Sequence, residues 1–297
     1  MKEKIKEYLA WKATYARKAS INYRIWLERF VEICGEKELL KYDISDYTKY
    51  QLWIETRYSP SSTQLATVVL KNFFMFCVHN NYPCLSPTLI RTRRIIAKSH
   101  RAITEDEFER IIAEIPRNEE FSTLRDKVVI RLLWDTGMRV SELCDLDLTQ
   151  ITETKRSAVI YTKKTLKKRV IVWSEETHLE LMKYMVERLQ LHNVNKANAL
   201  LLGWAKGKAW SSRMSSRTVQ RIIKHYVNRA GIKEKITPHS FRHGWAHKRR
   251  DQNAPLSFIQ RGLGHLSPVS TFIYEQYNDL EFVQNAENYL QGSGLTG

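Results

Sequence analysis

Apolar residues recur at helical spacing through the first ninety residues of the chain. A charged segment over residues 1–18 predicts a short first helix, and Ser20 is the predicted N-cap of a stronger helix that ends at Gly35. Two more helices follow, the second of which ends at Asn80-Asn81. Four helices in this length predict a compact helical domain over residues 1–90, with its aromatic side chains in the core.

A strongly basic segment follows this helical domain. Its sequence, RTRRIIAKSHRA over residues 91–102, has no helical stripe and predicts an interdomain linker. Such a linker either lines a phosphate backbone or is an ordinary solvated connector, and the sequence favours neither interpretation. Thr104 and Glu107 then have the spacing of a capping box, which predicts that a second domain, over residues 103–279, opens with a helix.

The hydrophobic period changes in the middle of this second domain. An apolar-periodic helix from Leu124 to Trp134 gives way to two short alternating segments, SAVIYT at 157–162 and RVIVW at 169–173. These segments predict a β-hairpin whose connecting sequence, KKTLKK, is rich in lysine. The predicted fold class is therefore mainly α with a small antiparallel β-sheet: a helical N-terminal domain and an α+β second domain.

Three capped helices are predicted near the end of the second domain. Thr237-Pro238 begins the first of them, because an N-cap threonine followed by proline is a typical helix start. His239, Arg242 and His243 then share one face near the positive end of the helix dipole, where an anion binds favourably.

The other two helices of this stretch carry a histidine and a tyrosine at defined places. The second helix is predicted to start at Pro255 and to be stopped by Gly262 and Gly264, which leaves His265 in the turn beyond it. Ser267-Pro268 repeats the cap-plus-proline start, and Tyr274 lies two turns into the third helix.

Composition and charge point to a polyanionic partner. The 297 residues carry a formal charge of +16, and 43% of them are hydrophobic, as in an ordered globular protein. The basic excess predicts nucleic-acid binding, while a solvated basic surface without such a partner is the alternative. The lack of a long apolar run or a signal-peptide core predicts a soluble protein, cytoplasmic or nucleoid-associated, without membrane contact. The four cysteines have no metal-type spacing and are expected to be reduced core thiols.

An arginine in an apolar setting is the second candidate for phosphate chemistry. Arg139 lies between Met138 and Val140, directly after the helix-ending Gly137. It either faces an anion or forms a salt bridge to a neighbouring carboxylate, Glu142 or Asp135. Two guanidiniums can hold the non-bridging oxygens of a phosphodiester, and a tyrosine hydroxyl can attack the phosphorus. Lysine and histidine can move the protons, so we expect neither metal nor cofactor.

Three motifs in this order resemble those of the tyrosine recombinase, or phage integrase, family. TGMRVSEL resembles its first-arginine box, HSFRH its His-x-x-Arg box, and LGHLSPVSTFIY its final box. The compact layout is similar to that of the Xer-like branch or of a small mobile-element integrase. The resemblance implies a core-binding, DNA-binding domain at 1–90, a linker at 91–102, a catalytic domain at 103–279, and a C-terminal helix and tail at 280–297.

The same resemblance implies the roles of individual residues. Arg139 and Arg242 would bind the scissile phosphate, and Tyr274 would attack it to leave a 3′-phosphotyrosine and a 5′-hydroxyl. Tyr277, one helical turn further, is the alternative nucleophile, although the spacing from the final-box histidine favours Tyr274. His239 would be the acid–base partner of the tyrosine.

The remaining roles fall on the final-box histidine, the hairpin and the first box. His265 would donate a hydrogen bond to the phosphate, and Glu142 would support the first box without reacting. Alignment to the Lys-Gly-x-Lys-x-Arg turn of the family makes Lys164 the general acid for the leaving oxygen. Because Thr165 stands where the family has glycine, Lys163 and Lys167 remain open for this role.

The resemblance also implies partners and a reaction scheme. Double-stranded DNA with paired recombination sites is the substrate, and strands are exchanged through a Holliday junction by a homo-tetramer that forms as one dimer per site. An accessory DNA translocase or an element-encoded protein is a further expected partner. Two alternatives stay open: a type IB topoisomerase-like enzyme that relaxes DNA without site choice, and a noncatalytic DNA-binding protein.

Overall fold

The computed structural model describes residues 1–92, 101–118, 120–152, 154–162, 167–191, 198–205 and 208–264. The chain divides into two compact units, Met1–Ser99 and His100–Gly297. Each unit has a hydrophobic core of its own. Within the described ranges, no helix combines the length and the apolar composition that a membrane span requires.

The first unit begins with a helix that is folded back on itself. Helix α1 (Lys2–Cys34) leaves helical geometry at Ala16, with φ −144° and ψ 55°, and the terminal amine donates to the carbonyl of Lys37 at 3.1 Å. The predicted break between two N-terminal helices therefore lies at Ala16. The prediction that Ser20 caps the second helix is wrong, because Ser20 lies inside the helix and its hydroxyl donates to the carbonyl of Arg17.

Two further helices complete the first unit. Helix α2 (Ile44–Arg57) begins at Asp43, whose carboxylate accepts from the N–H groups of two first-turn residues, and helix α3 (Pro60–His79) follows the N-cap Ser59. Short 3-10 turns lie at Leu39–Lys41 and Pro87–Leu89. The prediction of an aromatic core is confirmed by the largest side chains that are fully buried in this unit: Tyr8, Phe30, Tyr50, Phe73 and Phe74.

The second unit opens with three helices. Helix α4 (Glu105–Ala113) starts with the predicted capping box, since the N–H of Glu107 donates to the hydroxyl of Thr104 and the N–H of Thr104 donates to the carboxylate of Glu107. Helix α5 (Phe121–Thr136) is buried on most of its surface and forms the centre of the core, as expected for a helix that is apolar nearly all round. Helix α6 (Val140–Cys144) and a 3-10 turn (Leu148–Gln150) follow.

Two antiparallel hairpins precede and follow one helix along the chain. Strands β1 (Ser157–Thr162) and β2 (Lys167–Val172) form the predicted hairpin, and Ser174 caps helix α7 (Glu175–Leu189) as expected from the sequence. Strands β3 (Leu202–Ala205) and β4 (Lys208–Arg213) form a second hairpin that the hydrophobic pattern does not predict. Their short segments lack the alternation by which a strand is recognised.

Three helices complete the described part of the second unit: α8 (Ser216–Arg229), α9 (Pro238–Asp251) and α10 (Leu256–Leu263). Thr237 is the N-cap of α9, and Pro238 is its first residue, as predicted. All four cysteines of the chain have free thiols, and three of them are buried.

Candidate active site

Arg139 lies in a tight turn between two helices. Helix α5 ends at Gly137, which has a left-handed φ of 57°, and Arg139 is the residue that precedes the first turn of α6. The Arg139 N–H donates to Glu142 Oε2 at 2.8 Å, and its guanidinium Nη1 donates to Glu142 Oε1 at 3.1 Å. The salt bridge that the sequence left open is therefore formed with Glu142. The Arg139 side chain nevertheless remains 22% exposed and can reach a ligand.

Glu142 connects the turn at Gly137–Arg139, called here the first-arginine turn, to the β1–β2 hairpin. Its side chain is 3% exposed and also accepts from Thr162 Oγ1 at 2.8 Å and from Arg169 Nη2 at 2.6 Å. Burial raises the pKa of the Glu142 carboxyl, but Arg169 and the other donors outweigh burial and hold that pKa below its ordinary value. Glu142 is therefore an anion that is shared by two arginines.

Arg242 is buried in the interior face of α9 and joins two helix ends. It is 5% exposed, and its Nη1 donates to the carbonyl of Gly137 at 2.9 Å while Nη2 donates to the carbonyl of Leu263 at 2.5 Å. The Gly137 carbonyl lies two residues before Arg139. The two predicted phosphate-binding arginines are thus anchored on the same turn of the chain.

His239 lies in the first turn of α9, one helical turn before Arg242, and its side chain is exposed. The N–H of Thr237 donates to the hydroxyl of Ser240 at 3.1 Å, which fixes the start of this helix. His239 therefore faces solvent at the positive end of the helix dipole, where a phosphate is favoured.

Trp245 is a site component that the sequence does not reveal. Its Nε1 donates to the carbonyl of Asp135 at 2.8 Å, and its ring fills the space beside two glycines. A Cβ on Gly137 would lie 2.9 Å from Trp245 Cγ, and a Cβ on Gly262 would overlap Trp245 Cη2. Trp245 thus packs against both the first-arginine turn and helix α10 and fixes their positions.

This contact corrects the sequence interpretation of one glycine. Gly262 lies inside α10 and does not stop it, because the helix ends at Gly264, with a left-handed φ of 62°. Glycine is required at position 262 by the neighbouring ring of Trp245. Gly264 is the predicted helix end, directly before His265.

Several predicted site residues lie outside the described residues: Lys163, Lys164, Thr165, His265, Tyr274 and Tyr277. Lys167, one of the alternative general acids, is the first residue of β2 and is exposed. The structure also shows that Arg169 is buried; this arginine is the last residue of the aligned Lys-Gly-x-Lys-x-Arg turn and has no role in the sequence interpretation. The sequence does hold a signal for it, because an arginine on the inward side of a strand needs a buried partner.

The described side chains give the site a positive charge. Three guanidiniums, on Arg139, Arg169 and Arg242, and one carboxylate, on Glu142, sum to a net charge of +2 (three minus one). Within the described ranges, no group of three or more His, Cys, Asp or Glu side chains is placed to hold a metal ion. The cluster is suited to an anion such as a phosphodiester.

Comparison with known proteins decides the family. The profile of the phage integrase family matches residues 101–281, more than half of the chain. The chain belongs to the phage integrase family. Among its relatives, tyrosine recombinase XerA of Pyrococcus furiosus is 31% identical over 217 residues, which cover 73% of this chain and 70% of the relative. The resemblance to Xer-like tyrosine recombinases is therefore confirmed.

Solved structures of the family share this fold. XerH site-specific recombinase bound to difH substrate matches with a TM-score of 0.74 and 18% identity, over 96% of this chain and 83% of that one. A lambda integrase dimer bound to a COC′ core site matches with a TM-score of 0.72 and 16% identity, over 93% and 95% of the two chains. The predicted fold class is confirmed. The function of this phage integrase family member is site-specific recombination with DNA strand exchange, and its activity is the cleavage and rejoining of DNA.

Proposed function

We propose that Arg139 and Arg242 bind the scissile phosphate of a DNA recombination site and that Tyr274 attacks it. The observation that carries this proposal is the hydrogen bond from Arg242 to the carbonyl of Gly137, two residues before Arg139. It ties both guanidiniums to one turn, so that they can contact the same phosphate group. Pre-positioned cations of this kind stabilise the charge that develops during displacement at phosphorus.

The proposed bond changes rest on the family relationship. The Tyr274 oxygen forms a bond to phosphorus, the bond from phosphorus to the 5′-oxygen breaks, and a 3′-phosphotyrosine and a free 5′-hydroxyl result. His239 takes the tyrosine proton, and Lys164 protonates the leaving 5′-oxygen, with Lys163 and Lys167 as the alternative acids. His265 donates a hydrogen bond to a non-bridging oxygen.

The two compact units support separate core-binding and catalytic domains. Residues 1–90 would form the core-binding domain, 91–102 the linker, 103–279 the catalytic domain, and 280–297 a C-terminal helix and tail. Residues 1–100 carry 17 basic and 9 acidic side chains, an excess of +8, so this first part of the chain also attracts DNA.

The partners of this enzyme are proposed from the same family relationship. One dimer would occupy each site, as the lambda integrase dimer occupies its core site, and two such dimers would form a tetramer for strand exchange through a Holliday junction. An accessory DNA translocase or an element-encoded protein would select when exchange occurs.

Covalent capture from a randomised pool of DNA tests the reaction and identifies the target site in one experiment. Wild-type protein is incubated with nicked duplexes of randomised sequence, and DNA that remains attached to protein in detergent is sequenced. We expect enrichment of a short, partly palindromic sequence, and we expect the Tyr274→Phe variant to capture none of it while Tyr277→Phe captures it normally.

The alternatives give different results in the same assay. Capture without sequence enrichment would indicate a topoisomerase-like relaxase. Binding without any covalent capture would indicate a noncatalytic DNA-binding protein. Capture that persists in the Tyr274→Phe variant would overturn the assignment of the nucleophile.

A further inference from the structure

A buried arginine in the β1–β2 hairpin has no place in the reaction as described above. Arg169 lies in β2 opposite Ile160, on the same inward side as Ile171, and its side chain is 6% exposed. An arginine is seldom buried to this extent unless it is paired, since removal of its charge from water is costly. Its partners therefore indicate what it does.

Arg169 connects three elements of the catalytic unit. Its Nη2 donates to Glu142 Oε2 at 2.6 Å, and its Nη1 donates to the carbonyl of Gly262 in α10. A Cβ on Gly264 would lie 3.0 Å from the Cδ and Nε atoms of Arg169, so the end of α10 also rests against this side chain. The hairpin, the first-arginine turn and the helix before His265 are held together at this one guanidinium.

The charge of Glu142 is divided between two arginines. Oε1 accepts from Arg139 Nη1 at 3.1 Å and from Thr162, whereas Oε2 accepts from the Arg139 N–H and from Arg169. The shorter, more deeply buried ion pair is the one with Arg169, because its side chain is 6% exposed and that of Arg139 is 22% exposed. Glu142 is thus neutralised mainly by the arginine that lies farther from solvent.

Loss of Arg169 would change the charge that a phosphate meets. With Arg169 present, Arg139, Arg169, Arg242 and Glu142 sum to +2; without it, the remaining three sum to +1 (two minus one). Glu142 would then have Arg139 as its one charged partner among the described residues. A buried carboxylate that loses one partner holds the other more tightly, so Arg139 would be drawn away from DNA.

We propose that Arg169 is a positioning residue for recombination, which neutralises Glu142 so that Arg139 meets the scissile phosphate with its full positive charge. This inference rests on the proposed role of Arg139. It assigns to Arg169 no contact with DNA. It also explains why the lysine-bearing hairpin and the first-arginine turn share a buried ion pair.

The test measures the single-turnover rate of covalent capture on the site that wild-type protein selects. Arg169→Met is expected to lower this rate about tenfold or more, since loss of direct electrostatic stabilisation of a transition state costs on the order of 100-fold to 1000-fold. Arg169→Lys, which keeps the charge, is expected to retain more activity than Arg169→Met.

Arg125→Met is the matched control. Arg125 is also 6% exposed, and it pairs with Asp126 at 2.6 Å, so the substitution removes the same charge from a buried ion pair in the same unit. It lies twelve residues before Gly137 along α5, a distance of about 18 Å at the helical rise of ~1.5 Å per residue. We expect the capture rate of this variant to stay within about threefold of wild type, whatever its thermal stability.

The double variant Arg169→Met/Glu142→Gln separates a charge effect from a structural one. Removal of both charges returns the net charge of the cluster to +2, and glutamine keeps the shape and an acceptor oxygen. We therefore expect the double variant to cleave faster than Arg169→Met alone, and this comparison remains informative if the single variant folds poorly.

Each outcome has a defined meaning. A double variant no faster than Arg169→Met, or an Arg169→Met variant as fast as wild type, would overturn the role of Arg169. Failure of wild-type protein to form any covalent complex would overturn the proposed function instead.

Discussion

The contact between Trp245 and Gly262 allows a sharp test of how the site is assembled. Substitution of Gly262 by alanine adds a Cβ that overlaps Trp245 Cη2 and lies 3.1 and 3.2 Å from Cζ2 and Cζ3. All three atoms belong to the six-membered ring of the indole. Since this ring packs between two helices, the added methyl group cannot be accommodated without movement of α10.

The magnitude follows from two opposing effects. Overpacking of a filled core costs about 1–3 kcal/mol, whereas replacement of a helical glycine by alanine gains about 1 kcal/mol. Gly262→Ala is therefore expected to lower the free energy of unfolding by up to about 2 kcal/mol. In a Trp245→Phe background, the overlapping ring atoms are gone, so the same substitution is expected to raise the free energy of unfolding by up to about 1 kcal/mol.

The four proteins of this double-mutant cycle are unfolded in urea, and unfolding is followed by circular dichroism and by fluorescence. These measurements show whether the effect of Gly262→Ala on the free energy of unfolding changes sign. Gly244→Ala provides the control, because a Cβ there would lie 2.6 Å from the backbone oxygen of Ile103, which Trp245→Phe does not move. The reasoning is refuted if Gly262→Ala is equally destabilising with Trp245 and with phenylalanine at that position.

Two further predictions concern the charged groups of the site. Arg242→Lys leaves one of the carbonyls of Gly137 and Leu263 unpaired, which is expected to lower the free energy of unfolding in urea by about 1–3 kcal/mol. It is also expected to slow covalent capture on the order of 100-fold to 1000-fold. A capture rate near that of wild type would contradict the phosphate-binding role. Glu142→Gln tests the depressed pKa of Glu142. Burial raises that pKa, but Arg169, Thr162 and Arg139 together outweigh burial and lower it, so the ionised form stabilises the folded state. The stability that wild type has over Glu142→Gln should be complete above the ordinary pKa of 4.5 and lost as the pH falls below it, and an advantage that grows toward acid pH in urea titrations would contradict this.

The sequence predicts those features of the fold whose cause is local. These features depend on residues within one or two helical turns: the capping box of Thr104 and Glu107, the N-cap Ser174 of α7, and the left-handed helix ends at Gly137 and Gly264. Ser20 shows the limit of this reasoning, because a serine that is suited to an N-cap can instead donate to a carbonyl of the preceding turn and remain inside a helix.

Features that depend on distant partners cannot be predicted in the same way. Gly262 has the local pattern of a helix stop. The reason for a glycine there is the ring of Trp245, which lies on another helix and is therefore not visible in the local sequence. The hydrogen bond from Trp245 to Asp135 spans 110 residues, and the ion pair from Arg169 to Glu142 spans 27. No periodicity reports such pairings, although a buried arginine in a strand does indicate that a carboxylate must lie nearby.

The identity of the residue that becomes joined to DNA tests the central claim most directly. Trypsin digestion of the captured complex leaves residues 262–297 as one peptide, since no lysine or arginine follows Arg261, and fragmentation in a mass spectrometer locates the attached nucleotide. We predict attachment of the DNA 3′-phosphate to Tyr274, with a free hydroxyl on the released 5′ end. Attachment to Tyr277, to a residue outside this peptide, or through a 5′-phosphate would contradict the account.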